Sequence, residues 1–413
     1  MSCDVLVVGG GIAGLACARH LVRDGLDVKL FEADERVGGR LKTDLVDGFR
    51  LDRGFQVLIT SYPEVRDSLD LDALQLGRFI PGARCRVDGG WRDVRDPWRD
   101  PLSIPRSLLR GVGSWSDYAK LATLRRKARA GTLDDLLAAP AKSTAERLRE
   151  AGFSERMLHT FLEPWLSGIF LESDLATSDR FLFFVLRMFA DGHAALPHDG
   201  MEAIATQVAA ELPPGVVHTR ARVRSATPTS VTLENGESMS ARAVVVALEG
   251  GAAARLQGLA PTPPPRPVRA VYYAAERDPV GAPLLVLDGE GRGPVNHLAV
   301  PSTVQPSYAP AGAHLVSATV LAKHADATQA DVRAQLATWF GSDVSGWKHL
   351  ATVDVPVALP AAVDATPRPV ETPDGWIVAG DHLGVPSLQT ALATARAAAA
   401  CAKRRVTQTA SAA

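Results

Sequence analysis

The sequence predicts an α/β fold with a Rossmann-type dinucleotide-binding domain and a second, discontinuous α+β domain that carries a helical insertion. Three observations lead to this prediction. A strand, a glycine-rich turn, a helix and a second strand follow one another within residues 4–32. Another strand and helix, joined by a Gly-Asp turn, occupy residues 375–404. Between these units, residues 101–195 show mostly helical periodicity.

The opening unit has glycines at positions 9, 11 and 14. Gly9 permits a sharp turn, Gly11 lets a pyrophosphate approach the backbone, and Gly14 lets helix and strand pack closely. The helix start presents free N–H groups to the phosphates. Glu32, at the end of the second strand, is placed to bind the hydroxyls of an adenosine ribose, and its charge disfavours NADP. A glycine-rich turn without a ligand is the alternative.

Composition excludes several classes of protein. At 413 residues the chain is long enough for two domains, and a net charge of −1 without a basic block argues against nucleic acid as a partner. No apolar run reaches the ~18 to 20 residues of a membrane span. A strand predicted from residue 4 leaves no room for a cleavable signal peptide. Four scattered cysteines predict neither a disulfide framework nor a metal site, so we expect a cytoplasmic protein.

A second glycine pair with an arginine, Gly38-Gly39-Arg40, stands where a plain NAD domain would lead into its next helix and strand. Its N–H groups and guanidinium suit phosphate and ribityl oxygens. With the Asp52-x-Gly54 segment, these motifs resemble the superfamily of FAD-dependent amine oxidases, phytoene desaturases, carotenoid isomerases and protoporphyrinogen oxidases. The resemblance implies FAD, with its flavin at the boundary between two domains. An NAD-dependent domain is the alternative.

The last predicted unit is an apolar strand that ends at Gly380-Asp381, followed by Ser387 and a helix from Leu388. It resembles the C-terminal flavin motif of that superfamily, in which the Asp binds the ribityl-pyrophosphate region and the helix points its N-terminus at the flavin. A helix N-terminus would stabilise the negative charge of reduced flavin by roughly 0.3 to 1 kcal/mol. The two motifs at opposite ends of the sequence together support FAD.

The resemblance also implies domain boundaries and a set of ligand residues. The FAD-binding domain is expected at 1–80, 196–260 and 368–408, and the substrate domain at 81–195 and 261–367, with its helical part at about 101–195. The chain has no cysteine between Cys85 and Cys401, so we expect the FAD to be non-covalent. The residues expected to bind it are Gly9, Gly11, Ile12, Ala13, Gly14, Glu32, Ala33, Gly38, Gly39, Arg40, Gly54, Phe55, Gln56, Val223, Ala247, Gly380, Asp381, Ser387 and Leu388.

Several elements of the second domain can be predicted from local patterns. We expect a hairpin over 83–94, because two short apolar runs flank Asp88-Gly89-Gly90. Helices are expected over 115–130 and 327–340. The predicted strands of this domain cover 268–275, 284–287, 296–300 and 315–321.

The resemblance favours an apolar substrate. Segments such as Pro164 to Leu171 and Val295 to Leu298 are most similar to the phytoene desaturase and carotenoid isomerase branch. Many amine oxidases carry a lysine on the strand that corresponds to 268–275, and this segment has none. We therefore expect hydride transfer to flavin N5 from an apolar, unsaturated or isoprenoid-like small molecule, with oxygen or a quinone as the electron acceptor. A flavin amine oxidase and a non-catalytic FAD-binding protein are the alternatives.

Candidate residues for the chemistry are few. His382, Gln56 and Tyr272 are candidates for catalysis, although a histidine such as His382 more commonly bonds a backbone group. Trp165, Phe184 and Tyr272 are candidates for the substrate cavity, and helix–helix packing is the alternative for the first two. An apolar substrate needs an entrance to the cavity, and the aromatic run 181–189 could line that entrance at the protein surface. Contact of this surface with a membrane is therefore an open alternative.

Overall fold

The computed structural model describes residues 3–96, 98–99, 112–259, 263–361 and 363–412. Its strands are β1 (Cys3–Val8), β2 (Val28–Phe31), β3 (Thr43–Val46), β4 (Phe49–Asp52), β5 (Leu58–Ile59), β6 (Gly77–Arg78), β7 (Gly82–Val87), β8 (Gly90–Arg95), β9 (Ala194–Leu196), β10 (Val217–His218), β11 (Val223–Thr227), β12 (Ser230–Leu233), β13 (Ser238–Val246), β14 (Arg266–Ala275), β15 (Leu285–Leu287), β16 (Val295–Ala299), β17 (His314–Leu321), β18 (Lys348–Leu359) and β19 (Ile377–Val378).

The α-helices connect these strands and form a separate layer. They are α1 (Ile12–Arg23), α2 (Pro63–Ser68), α3 (Trp115–Arg129), α4 (Leu133–Ala138), α5 (Thr144–Ala151), α6 (Glu155–Met157), α7 (Glu163–Phe170), α8 (Asp179–Asp191), α9 (Glu202–Ala210), α10 (Gly250–Leu256), α11 (Pro301–Val304), α12 (Gln329–Phe340) and α13 (Leu388–Ala412). A π-helical turn, Leu158–Leu162, joins α6 to α7. None of the described helices has both the length and the apolar composition that crossing a bilayer requires.

The first sheet is the nucleotide-binding sheet that the sequence predicts. β1 lies between β2 and β13 and runs parallel to both, and β19 adds a further parallel strand beside β13. The apolar run of β1 is buried on both faces, as expected for a central parallel strand. α1 and α13 pack together against this sheet, so elements from the beginning and the end of the sequence share one core.

The second sheet has the strand order β18-β14-β17-β16-β15-β7-β8. Its predicted members, including the hairpin β7–β8, are confirmed, whereas β18 was not predicted. Alternate residues of β14 point to opposite faces: Ala270 and Tyr272 pack toward the nucleotide-binding domain, and Val271 and Tyr273 pack toward α12. On the first of these faces, Val268 at the start of β14 lines the cavity described below, whereas Ala270 and Tyr272 are packed in the core beside it.

The helical layer covers the second sheet. α3 and α5 each begin with a serine in a capping box, Ser114 with Asp117 and Ser143 with Glu146. α7 and α8 turn aromatic and aliphatic side chains toward one another and toward the sheet. The predicted α/β architecture with a helical insertion is therefore confirmed, whereas its domain boundaries stay a prediction.

Candidate active site

A cavity of about 690 Å³ lies between the nucleotide-binding sheet, the second sheet and the helical layer. The glycine turn after β1 lines one part of it, and residues of α7 and α8 line another. The predicted sites for nucleotide and substrate are therefore parts of one continuous space.

The glycine turn combines tight packing with open space. An ideal Cβ on Gly14 would lie 1.9 Å from the backbone oxygen of Gly9, so Gly14 serves the helix–strand packing predicted for it. Gly9 has φ +108°, which favours glycine. In contrast, a Cβ on Gly11 would meet nothing within 4 Å, and Gly11 lines the cavity. The backbone therefore carries no side chain at the position where the sequence predicts a pyrophosphate.

α1 begins directly after Gly11 without a side-chain cap and without an acidic residue in its first turn. Its first N–H groups are thus available to an anion, and the positive end of the helix dipole adds to the attraction. Ile12 and Ala13 line the cavity at this point. This arrangement fits a diphosphate.

Glu32 lines the cavity at the end of β2. One carboxylate oxygen accepts the N–H of Gly10 at 2.6 Å, and the other accepts the N–H of Asp34 at 2.9 Å. A carboxylate has about four acceptor positions, so two such bonds orient Glu32 and leave capacity for ribose hydroxyls.

Arg40 and Asp381 connect the two motifs that the sequence places far apart. The guanidinium donates two hydrogen bonds to the Asp381 carboxylate, at 2.9 and 2.6 Å, and a third to the carbonyl of Ala358 at 3.1 Å. Both side chains line the cavity. The bidentate pair fixes the Gly39–Leu41 turn against the segment that precedes α13.

Most residues expected to bind FAD line the same cavity. Gly14, Ala33 and Val223 do not: Gly14 is used in packing, Ala33 lies in the bend after β2, and Val223 pairs with Leu233 and packs behind the first sheet. The cofactor roles themselves stay predictions. The expected residues that line the cavity are Gly9, Gly11, Ile12, Ala13, Glu32, Gly38, Gly39, Arg40, Gly54, Phe55, Gln56, Ala247, Gly380, Asp381, Ser387 and Leu388.

These residues fit FAD chemically. The diphosphate fits the turn at Gly11, which has no side chain, and the uncapped start of α1. The flavin ring fits the start of α13, and the ribose fits Glu32. The four cysteines are buried free thiols, and none of them lines the cavity, in agreement with the expected non-covalent attachment.

Aromatic side chains line the part of the cavity next to the helical layer. The rings of Phe161 and Trp165 stack with their centroids 5.6 Å apart, and both line the cavity, as the sequence predicts for Trp165. Phe184 does not line the cavity. It is 1% exposed and stacks on Tyr62 at 5.6 Å, so helix packing accounts for this residue.

Tyr272 also lies outside the cavity lining. Its hydroxyl donates to the backbone oxygen of Asp52 at 2.6 Å, and the side chain is buried in the junction between the two domains. The Asp52 carboxylate accepts hydrogen bonds from Thr43 at 2.5 Å and from Met201 and Tyr308 at 2.9 Å each. Burial raises the pKa of Asp52 to about 6, although these hydrogen bonds favour the charged form. The hydrogen bonds around Asp52 therefore hold neighbouring segments of the fold together and do not form part of the cavity.

The two other catalytic candidates have different positions. His382 lies outside the cavity lining, because its ring packs against Gly250 at the start of α10, where a Cβ would be 3.3 Å away. Gln56 does line the cavity. Its side-chain nitrogen donates to the carbonyl of Arg40 at 2.7 Å, which leaves the amide oxygen as the group that can contact a ligand.

His297 is a cavity residue that was not predicted. His297 lies on β16, lines the cavity and contacts the ring of Phe55 edge-on, with the centroids 5.6 Å apart. Burial lowers its pKa to about 4, so the ring is neutral at physiological pH. The sequence contained a signal, since Asn296 and His297 are adjacent polar residues within a strand that is otherwise apolar.

The chain matches one family of known proteins over nearly its whole length. The family model of flavin-containing amine oxidoreductases matches residues 12–402. The chain belongs to this family. Members of the family bind FAD, typically non-covalently.

Individual relatives of this flavoprotein have different names. A carotenoid 3,4-desaturase from Haloarcula japonica is 55% identical over 51 residues, 12% of this chain and 10% of the relative. A coproporphyrinogen III oxidase from Mycobacterium tuberculosis is 29% identical over 216 residues, 51% of this chain and 45% of the relative. These matches span less than half the length of each relative.

Solved structures agree on the fold. The cyclohexylamine oxidase from Brevibacterium oxydans superposes with a TM-score of 0.71 at 18% identity, and the match covers 99% of both chains. At 18% identity, this structural similarity supports the predicted fold.

Proposed function

We propose that this flavoprotein is an FAD-dependent oxidoreductase that removes a hydride from an apolar, unsaturated or isoprenoid-like small molecule. The observation that carries the proposal is the continuity of the cavity, in which the predicted cofactor cradle opens directly onto a wall of aromatic and aliphatic side chains. This wall consists mainly of Phe55, Phe161, Trp165, Ile169, Phe181, Val185 and Phe189. Such a surface binds ligands by removing apolar area from water.

Two further observations support an apolar substrate. The match to a carotenoid 3,4-desaturase is short but has the highest identity of the relatives described above. No lysine lines the cavity among the described residues, so the lysine typical of many amine oxidases has no equivalent there. An amine substrate would need a different group to hold its catalytic water.

The cavity residues described above would hold FAD, which would supply a hydride acceptor at its N5 atom. The protein's own residues position the reactants and exclude water. Arg40 and Asp381 hold the two cofactor motifs together, and the start of α13 offers a positive dipole end to developing negative charge. The aromatic and aliphatic wall, of which Phe161, Phe181 and Val185 are buried, would exclude water from the reacting C–H bond.

Three further parts of the proposal are supported only by the sequence predictions given above. These are re-oxidation by oxygen or a quinone, a cytoplasmic location, and contact with a membrane surface during substrate uptake.

The test is an absorption spectrum followed by anaerobic mixing. Purified protein should show flavin bands, and acid precipitation should release the flavin into the supernatant. Loss of the visible band on mixing with a polyene, but not with cyclohexylamine, would support the proposal. Bleaching by the amine alone would identify an amine oxidase, and bound FAD that neither compound reduces would point to a non-catalytic flavin-binding protein.

A further inference from the structure

A pair of polar side chains interrupts the apolar part of the cavity. His297 on β16 lies opposite Thr319 on β17 in the sheet register, and both side chains line the cavity. They are 4% and 2% exposed, respectively. Side chains paired across neighbouring strands stand within about 5.5 Å at their Cβ atoms, so one ligand atom can reach both.

The hydroxyl of Thr319 has no hydrogen-bond partner among the described residues. A buried hydroxyl without a partner lowers stability, and buried polar side chains usually find one. Because Thr319 lines the cavity, a bound ligand can supply the missing partner.

The hydrogen bonds of Asn296 determine which nitrogen of His297 carries the proton. The Asn296 side-chain nitrogen donates to the carbonyl of Pro164 at 2.9 Å, and a carbonyl can only accept, which fixes the orientation of the amide. The same nitrogen lies 3.1 Å from Nδ1 of His297, so Nδ1 accepts. In a neutral imidazole the proton is then on Nε2.

His297 is therefore a fixed donor. Its burial keeps the ring uncharged, and among the described residues no hydrogen bond involves Nε2. Thr319 can either donate or accept. The two groups together match a hydroxyl or carbonyl oxygen better than a hydrocarbon, which would leave both unpaired, or an ammonium group, which brings only donors.

On the basis of the proposed function, we infer that the His297–Thr319 pair binds an uncharged hydroxyl or carbonyl oxygen on an otherwise apolar substrate. The oxygen fixes the position of the substrate chain within the cavity, while the aromatic wall supplies most of the affinity. The substrate class is thus an oxygenated, unsaturated hydrocarbon.

The test measures binding to the dithionite-reduced holoenzyme, which cannot take up a further hydride. Farnesol, farnesal and farnesene share a carbon skeleton of similar length and differ in the oxygen. Their dissociation constants can be followed by quenching of tryptophan fluorescence, since Trp165 lines the cavity. We expect both oxygenated ligands to bind roughly tenfold more tightly than farnesene, as one or two net hydrogen bonds allow.

Variants at the pair make the test specific. Thr319→Val keeps the shape of the side chain, and it should weaken farnesol binding by about five- to tenfold and leave farnesene unchanged. His297→Phe should abolish the preference for oxygen, and His297→Gln, which keeps a donor, should restore part of it. Ser317→Ala is the matched control, because Ser317 lies on the same face of β17 but outside the cavity lining.

The outcomes separate this inference from the proposed function. If all three ligands bind equally to the wild type and to Thr319→Val, the inference is wrong while the apolar site stands. If none of them binds, the proposed function fails and the inference with it. If Thr319→Val releases FAD and leaves the preference for farnesol intact, the hydroxyl contacts the cofactor, which also overturns the inference.

Discussion

Two glycines of the opening turn have opposite tolerances for a side chain. Gly11 has extended backbone angles that alanine adopts freely, and its Cβ would enter the cavity. Gly11→Ala should therefore fold normally and bind FAD more weakly. Loss of one hydrogen bond to a charged phosphate costs about 1.5 to 3 kcal/mol, which corresponds to at least roughly tenfold in affinity.

Gly14→Ala should lower the stability of the fold itself rather than only the affinity for FAD. The new methyl group would collide with the Gly9 carbonyl, and overpacking of this kind lowers the free energy of unfolding by about 1 to 3 kcal/mol or more. Urea unfolding of the FAD-free forms, together with FAD titration, distinguishes the two variants. Equal loss of stability in both would contradict the assignment of Gly11 to the ligand and Gly14 to packing.

Asp52 should make stability depend on pH. Its folded-state pKa of about 6 lies above the ordinary value of 3.8, so its contribution is fully present below about pH 4 and is lost as pH rises through 6. A difference of about two pKa units corresponds to about 3 kcal/mol. Asp52→Asn removes this titration.

The measurement compares urea unfolding of wild type and Asp52→Asn at pH 4.0, 5.5 and 7.0. We expect the wild type to lose stability relative to the variant as the pH rises. Parallel curves for the two proteins would show that Asp52 does not titrate in this range.

At the level of single residues, the sequence identified the backbone positions better than the chemical ones. The positions of the glycines in the turn and of Glu32 beside the cavity were predictable because they depend on local spacing along the chain. The accessibility of His297 and His382 depends on which face of the sheet or turn meets the helical layer, and no local pattern contains that information. This is why His382 was selected and His297 was missed.

At the level of elements, the Arg40–Asp381 pair connects a turn near one end of the sequence to the segment before α13. Asp381→Ala should reduce FAD affinity by about ten- to a hundredfold, because a charge-assisted contact is lost. Glu32→Gln should also weaken binding, since the ribose site loses its charge.

Flavin content per protein, measured after gel filtration, checks both variants. Asp354→Ala is a suitable control, because it breaks an Arg–carboxylate pair with Arg269 on an exposed part of the second sheet. Full flavin occupancy in both Asp381→Ala and Glu32→Gln would show that the nucleotide is placed wrongly.

Two elements could not be predicted from local patterns. β18 alternates exposed and half-buried residues and pairs with β14 along one side of the second sheet, so its apolar signal is weak. The π-helical turn Leu158–Leu162 needs an extra residue within a helix, and this changes the angular position of Trp165 relative to Phe161. α12 was predictable because its buried residues Val332, Leu336 and Trp339 recur at helical spacing, and the buried strands were predictable because they are short apolar runs.

At the level of the whole molecule, the cofactor site joins segments that are remote in sequence, and FAD should therefore stabilise the entire nucleotide-binding domain. With FAD at 100 times its dissociation constant, the free energy of unfolding should rise by about 2.7 kcal/mol. FMN lacks the AMP half that Glu32 and the start of α1 are expected to hold. Thermal unfolding with each compound tests this, and equal stabilisation by FMN would contradict the placement of the AMP half.

The pairing of β19 with β13 and the packing of α13 on α1 also have a consequence for biosynthesis. A ribosome makes the glycine turn roughly 370 residues before it reaches Asp381, which at 5 to 20 residues per second is a delay of roughly 20 to 70 s. The nascent chain exposes one face of α1 for most of this delay, and it exposes the apolar edge of β13, which is made about 135 residues before Asp381, for roughly the last 7 to 27 s. We therefore expect cofactor capture to follow translation of the C-terminal motif, and we expect chaperones that shield nascent chains to bind at the unpaired edge of β13.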